Sequence, residues 1–247
     1  MYTAFSCSSN VIEPAPIPKA KVAMADGIES NIKQNKAHRV YRALRANPSL
    51  LHSTNKKGQT ILHLAALRNR YELIEELIKA NAQLNVLDND GDTALNMACY
   101  SRNVEAVQLL IEAGADPTLK NKRGETAVHK AAVFCQEDIF EMLLPKGQFD
   151  QPDNAGKHPL HVAAHYQNLV FVEALLRKKV GLNKIDINGD DAIMACMKGL
   201  NSNPKLEVLL LSQNNINPNL KNKKKESYLH AAATNGKLAA VNKLLQI

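Results

Sequence analysis

The chain has 247 residues, of which 45% are hydrophobic and 22% charged, and its formal net charge is +7. This balance is typical of a folded globular protein and excludes disorder of the whole chain. No apolar run approaches the roughly 18 residues of a membrane-spanning helix, and the first residues lack the basic start and apolar run of a secretory signal, so we expect an intracellular protein with no membrane partner.

The N-terminal region divides into two predicted parts. Residues 1–25 have Pro14, Pro16 and Pro18 among small and polar residues, which predicts a flexible leader. Residues 26–57 contain one amphipathic helical pattern, with Val40 and Leu44 on its apolar side, after the polar segment GIESNIKQNK. A polar segment suits the outermost unit of a stacked array, because its outer face meets water. We therefore predict an N-terminal half-repeat over residues 26–57.

A nine-residue pattern then recurs six times along the chain. The copies start near residues 58, 91, 124, 156, 189 and 225 and read GQTILHLAA, GDTALNMAC, GETAVHKAA, GKHPLHVAA, GDDAIMACM and KESYLHAAA. The intervals between them are 33, 33, 32, 33 and 36 residues. Each copy is followed by a second apolar run at helical spacing, such as YELIEELIKA. The repeating unit is therefore predicted to be helix, turn, helix and loop.

One copy shows the physical reasons for this unit. Thr60 stands where a hydroxyl can cap a helix, and Ala65 and Ala66 allow the next repeat to approach closely. The helix predicted from Tyr71 to Ala80 has a wider apolar stripe. Such a pair of helices cannot bury both of its faces alone, so stacking of repeats is required.

The loops between repeats are also predicted from the sequence. Residues suited to positive φ follow the second helices, namely Asn81, Gly114 and Gly147. The finger-like loops are then predicted to turn at the glycines that open the first five copies, which are Gly58, Gly91, Gly124, Gly156 and Gly189.

The repeated residues resemble the ankyrin repeat, which has a TPLHxA signature and a 33-residue period. The resemblance covers about residues 37–247 and implies a mainly α solenoid of stacked helix-turn-helix units with finger-like β-turn loops, forming one domain over residues 26–247. It also implies that the signature histidines His63, His129, His161 and His230 make structural hydrogen bonds between neighbouring fingers.

Departures from the pattern in the fifth and sixth copies bear on how the repeats stack. The fifth has Met194 in place of the signature histidine and an irregular segment, KGLNSNP, between its helices. We expect local loosening or a bend of the stack there. The sixth ends in LAAVNKLLQI with no charged outer face, which predicts exposed apolar surface on that repeat.

Candidate catalytic and metal-binding residues are few. His158, His161 and His165 have a spacing that could bring them to one helix face near a metal, but the repeat template explains His161 better. The carboxylates at 88–92 and 186–191 fall on finger loops, where aspartate stabilises turns. Cys99 and Cys196 occupy small-residue core positions, and all four cysteines, with Cys7 and Cys135, are predicted to be free thiols. We therefore predict no metal, no cofactor, no small-molecule substrate and no catalytic residue.

The positive charge does not form a continuous stripe. Along the fingers the sign alternates between basic residues such as Lys56 and Lys57, acidic residues at 88–92, and basic residues again at 120–123. A nucleic acid backbone favours an unbroken positive surface, so we predict a protein partner and do not expect a nucleic acid to bind. The NKKK run of the last finger is interpreted as a solvated loop, with a nuclear-import signal as the alternative.

The resemblance also implies where a partner binds. In this family, residues after the Ala-Ala of the first helix and residues beside the finger glycine face partners. The candidate partner-binding residues are Tyr100, Val133, Phe134, His165 and Tyr166 on the helices, and Asp90, Asp92, Lys122 and Arg123 on the fingers. Three aromatic residues on successive repeats, in a chain with only 11, favour an interface. The alternative is a ladder of aromatic side chains that only shields the inner surface.

These observations predict a non-enzymatic adaptor or scaffold that binds a protein partner. Two narrower alternatives remain open at this point. One is an inhibitor-of-κB-like regulator that masks a transcription factor. The other is a bacterial effector that mimics host ankyrin proteins, which the abundance of asparagine and of lysine over arginine favours.

Overall fold

The computed structural model describes residue 24 and residues 27–134, 137–214 and 216–247. The predicted leader lies outside the described residues apart from Met24, whose backbone amide donates a hydrogen bond to the carbonyl oxygen of Thr54. Cys7 and Cys135 also lie outside them.

The described residues form fourteen short α-helices in chain order. They are α1 Ile28–Lys33, α2 Ala37–Ala46, α3 Ile61–Leu67, α4 Tyr71–Lys79, α5 Ala94–Tyr100, α6 Val104–Glu112, α7 Ala127–Phe134, α8 Glu137–Leu143, α9 Pro159–His165, α10 Leu169–Arg177, α11 Ala192–Lys198, α12 Pro204–Leu211, α13 Tyr228–Thr234 and α14 Leu238–Leu244. A 3-10 helix, Pro48–His52, follows α2. No described helix has the length and hydropathy that a bilayer crossing requires.

The helices form two layers that run along the solenoid. The first helices of the repeats pack side by side in the order α3, α5, α7, α9, α11 and α13, and the second helices pack in the order α4, α6, α8, α10, α12 and α14. Ala65 and Ala66 are fully buried between neighbouring first helices. The predicted solenoid is therefore confirmed, because each repeat covers the apolar face of the next.

The first helices begin at the capping residues that the sequence indicates. The Thr60 hydroxyl accepts a hydrogen bond from the backbone amide of His63, and Thr93, Asp191 and Ser227 cap α5, α11 and α13 in the same way. These side chains satisfy backbone amides that the first helical turn leaves without partners.

The N-terminal unit differs from the predicted half-repeat. It has both helices of a repeat, because α1 precedes α2 and packs against α3. Ile28 and Ile32 are buried one turn apart on α1, and Arg70 donates hydrogen bonds to the carbonyl oxygens of Ile32 and Lys33 at 3.1 and 3.0 Å. Two apolar residues in a six-residue helix were too weak a pattern to predict it.

Two of the three loop residues predicted to have positive φ do so. Asn81 has a φ of 59° and Gly114 a φ of 95°, but Gly147 is not in that region, so its prediction was wrong. A side chain at Gly147 would instead meet the carbonyl oxygen of Leu143 and the side chains of Val128 and Phe149. Close packing around position 147 therefore accounts for the glycine there, and a positive φ does not.

The last repeat carries the apolar surface that the sequence predicts. Leu238, Leu245 and Ile247 are exposed on it, although Ala240 is buried.

Candidate protein-binding groove

The fingers and the first helices enclose a groove of about 580 Å³. It extends from Lys57 and Leu67 in the first repeat of the series to Lys198 in the fifth. The groove therefore spans five repeats.

The finger tips are joined to one another through their backbones. The amide of Asn89 donates to the carbonyl oxygen of Lys57, and the amide of Lys122 donates to that of Asp90, each at 2.9 Å. The amide of Asn154 donates to the carbonyl oxygen of Arg123 at the same distance. This row of hydrogen bonds fixes the spacing of the fingers along one wall of the groove.

Each finger is also held by one side chain at its start. In Asp88, Oδ1 accepts hydrogen bonds from the amides of Asp90 and Asp92, both at 2.9 Å. In Asp186, Oδ1 accepts from the amides of Asn188 and Asp190 at 2.7 and 3.0 Å. The predicted role of these aspartates in turn geometry is confirmed.

A buried lysine organises the floor of the groove. Lys130 on α7 is only 7% exposed, and its Nζ lies 2.8 Å from Glu125 Oε2 and 3.3 Å from Asp92 Oδ1. Burial raises the pKa of Glu125, but hydrogen bonds from Lys130 and Asn121 outweigh this and leave it below its usual value. Arg123 contacts the same carboxylate at 2.9 Å.

A second ionic cluster lies at the other end of the groove. Lys198 Nζ is 2.8 Å from Asp190 Oδ2 and 3.0 Å from Glu226 Oε2. Burial lowers the pKa of Lys198, but hydrogen bonds to the two carboxylates outweigh this and raise it. Neither cluster was predicted from the sequence. The feature that could have indicated the first cluster is Lys130, because the other copies have an apolar residue at the same position.

Three aromatic side chains, Tyr100, Phe134 and Tyr166, form a continuous row that we call the aromatic ladder. Tyr100 and Tyr166 line the helix edge of the groove, and Phe134 lies between them. The ring centroids of Tyr100 and Phe134 are 6.3 Å apart, and those of Phe134 and Tyr166 are 5.8 Å apart, both edge to face. The three residues are 51%, 48% and 48% exposed. The rings therefore pack on one another, as in the predicted ladder, and about half of each side chain faces solvent; their role in binding a partner stays a prediction.

The other predicted partner-binding residues have different surroundings. Val133 is buried and presents little surface, whereas His165 is half-buried beside the ring of Tyr166. Asp90, Lys122 and Arg123 are exposed on the finger tips. Asp92 is not a free rim charge, because it accepts hydrogen bonds from the side chains of Asn121 and Asn96 as well as pairing with Lys130.

The signature histidines join neighbouring repeats. His63 Nε2 lies 3.1 Å from the carbonyl oxygen of Asp92, His129 Nε2 lies 3.2 Å from that of Lys157, and His161 Nε2 lies 3.0 Å from that of Asp190. Burial lowers the pKa of all three. Their structural role is confirmed for these three copies.

The candidate metal and thiol residues are placed as follows. The rings of His158 and His161 stack 5.6 Å apart, and His158 Nδ1 lies 3.0 Å from Asp150 Oδ1. Among the described residues, no group of three or more His, Cys, Asp or Glu side chains is arranged to hold a metal ion. Cys99 and Cys196 are buried, and burial raises the pKa of the Cys196 thiol to about 12.

Comparison with known proteins identifies similar sequences and folds. A family model described as ankyrin repeats (3 copies) matches residues 31–121 and 113–191. The structure is similar to the ankyrin repeat domain of Bcl-3, a member of the IkappaB protein family, with 24% identity and a TM-score of 0.68 over 91% of this chain and 100% of that domain. It is also similar to the human ASB11 ankyrin repeat domain, with 21% identity and a TM-score of 0.77 over 90% of this chain and 97% of that one. No curated protein matches the sequence.

Proposed function

Because this chain belongs to the ankyrin-repeat family, we propose that it is a non-enzymatic adaptor or scaffold that holds a protein partner in its concave groove. Ankyrin repeats are protein–protein interaction modules, and their fold is typically non-catalytic. The observation that carries the proposal is the aromatic ladder, which leaves three large rings about half exposed along one edge of the groove.

The energetics favour a binding role for the aromatic ladder. Exposed aromatic side chains that lie together are typical of interfaces, and aromatic anchors contribute about 2 kcal/mol or more each when a partner excludes water from them. The rings are held in place by their edge-to-face contacts, so little side-chain entropy remains to be lost on binding. The exposed finger residues Asp90 and Arg123 would then orient the partner from the opposite wall.

The proposal is tested by capturing partners from a cell lysate and measuring their affinity for variants. We expect Phe134→Ala and Tyr166→Ala to weaken binding by about tenfold or more. The matched control is Tyr71→Ala, because Tyr71 is 47% exposed but lies on the second helix α4, away from the groove. The melting temperature of each variant separates lost binding from lost stability.

Two results would contradict the proposal. One is normal binding by both ladder variants. The other is an equal loss of binding for Tyr71→Ala.

The narrower alternatives stay as predictions from the sequence. Similarity to Bcl-3 and ASB11 at identities below 25% supports the fold alone. A transcription-factor regulator, a bacterial effector and an intracellular location would each be decided by the identity of the captured partner.

A further inference from the structure

The groove and the rest of the chain carry opposite charge. Among the described residues, five basic and seven acidic side chains line the groove, which gives it a formal charge of −2. The whole chain has a net charge of +7. An acidic groove in a basic protein indicates a surface with a specific electrostatic preference.

Most of the positive charge in the groove is already neutralised there. Lys130 lies between Asp92 and Glu125, and Lys198 lies between Asp190 and Glu226. Arg123 shares the carboxylate of Glu125. The lining cations outside these clusters are Lys57 and Lys157, whereas the lining carboxylates outside them are Asp88, Asp90, Asp153 and Asp186. Asp88 and Asp186 are buried and hydrogen-bonded in the finger turns, so the carboxylates that the finger wall presents to a partner are the exposed Asp90 and the partly exposed Asp153.

The helix wall of the groove has an apolar edge. The aromatic ladder forms most of it, and Leu67, which holds the position of Tyr100 in the preceding repeat, also lines the groove. The finger wall opposite this edge carries the exposed carboxylate of Asp90.

The ladder already contacts one cation of the chain itself. The guanidinium carbon of Arg102 lies 5.8 Å from the ring centroid of Phe134, which is a cation–π distance. A lysine or arginine of a partner can approach the exposed parts of the other rings in the same way.

Resting on the proposed function, we propose that the groove selects a basic amphipathic segment of its partner. Apolar side chains of that segment pack on the aromatic ladder and Leu67, and its lysines or arginines face Asp90 and Asp153. Charge complementarity of this kind increases the association rate and excludes acidic competitors. A phosphate backbone is disfavoured in this groove, because it would meet net negative charge.

The chain contains no tryptophan, so a single tryptophan in a probe peptide reports binding without a label. Three synthetic peptides are compared. The first carries leucine and arginine in alternation around one tryptophan, the second has glutamate in place of arginine, and the third has serine in place of leucine. We expect the first to bind most tightly, and its affinity to fall as salt is raised.

The protein variants identify the wall that selects charge. Asp90→Lys should weaken binding of the leucine–arginine peptide by about tenfold. Lysine is compatible with the fold there, because Lys57 holds the same position in another finger. The matched control is Glu105→Lys, which makes the same charge change at an exposed position on α6 and should leave the affinity unchanged. Leu67→Ser should weaken binding of the leucine–arginine peptide more than binding of the serine–arginine peptide, because Leu67 lines the apolar edge of the groove.

Several outcomes would overturn the inference. They are absence of binding by the leucine–arginine peptide at low salt, equal or tighter binding of the glutamate peptide, and equal effects of Asp90→Lys and Glu105→Lys. The proposed function fails by a different result, which is normal capture of the lysate partner by Phe134→Ala and Tyr166→Ala. The two failures are therefore distinguishable.

Discussion

Lys237 and Glu207 form an ion pair in which both side chains are fully buried. Their charged atoms lie 3.8 Å apart, Lys237 Nζ also donates to the carbonyl oxygen of Asn201, and Ser202 Oγ donates to Glu207 Oε1 at 2.7 Å. The pair joins α12 of the fifth repeat to the turn between α13 and α14 of the sixth. It therefore couples the last two repeats at the point where the irregular KGLNSNP segment enters α12.

Breaking this buried pair should be costly. Lys237→Met leaves the Glu207 carboxylate buried without its cation, and such a loss destabilises a protein by about 3–5 kcal/mol. The double variant Lys237→Met with Glu207→Met should recover much of that loss, because no uncompensated charge remains. Urea unfolding measures the free energy of unfolding of the single and the double variant. The control is Arg177→Ala at the exposed pair with Glu137, which should cost less than about 1 kcal/mol.

Removal of the sixth repeat should have a local effect. The fragment 1–217 loses the hydrogen bond from the Tyr228 hydroxyl to Asp191 and the partner of Glu207. We expect hydrogen exchange to accelerate in α11 and α12, while α5 to α8 stay protected, because each repeat contacts only its neighbours. Loss of protection across the whole fragment would contradict the modular stacking.

The signature histidines should make stability depend on pH. Burial lowers the pKa of His63, His129 and His161 in the folded state, whereas in the unfolded chain it is about 6.5. The unfolded state therefore binds more protons in this range, so their contribution to stability is complete above about pH 7 and is lost as the pH falls through about 6.5.

The measurement is the urea midpoint at about pH 7.5 and about pH 5.5. The variant His63→Asn, His129→Asn, His161→Asn should have a lower midpoint at the higher pH but a flatter pH dependence. Asparagine suits the position, because Asn96 occupies it in the second copy. An unchanged slope would show that other groups cause the dependence.

The finger glycines should tolerate substitution less than other glycines with positive φ. Gly91 and Gly114 have φ angles of 81° and 95°, so alanine is strained at both, by about 1 kcal/mol or more. A Cβ at Gly91 would also lie 2.8 Å from the backbone amide of Lys122, whereas none of the described atoms lies within 4 Å of one at Gly114.

Gly91→Ala should therefore reduce the free energy of unfolding by about 1–3 kcal/mol more than Gly114→Ala, because the clash adds overpacking to the strain. The hydrogen bond from Lys122 to Asp90 would be disturbed as well. If Gly91→Ala and Gly114→Ala reduced the free energy of unfolding equally, the prediction would be wrong, because neighbouring fingers would then accommodate the added Cβ at no energetic cost.

Much of this architecture is determined by the sequence alone. The copies at intervals of 32 to 36 residues indicate the repeat register, the Thr60 cap and the turn aspartates such as Asp88, and the resemblance to the ankyrin repeat implies the inter-finger role of His161. These features are predictable because each depends on bonds within one repeat or between equivalent positions of adjacent repeats. Because the same pattern recurs, the contacts predicted for one repeat also apply to the next repeat in the stack.

Only the tertiary structure decided the contacts that break this pattern. The burial of Lys130 and Lys237 and the packing of Phe134 on Tyr100 and Tyr166 depend on how side chains of different length meet across a repeat boundary. The sequence places these residues on adjacent repeats. It does not determine which lysine forms an ion pair with a buried carboxylate, or what fraction of each aromatic ring remains exposed. Those outcomes follow from the spacing and rotation between repeats, which set whether a side chain reaches a partner or solvent.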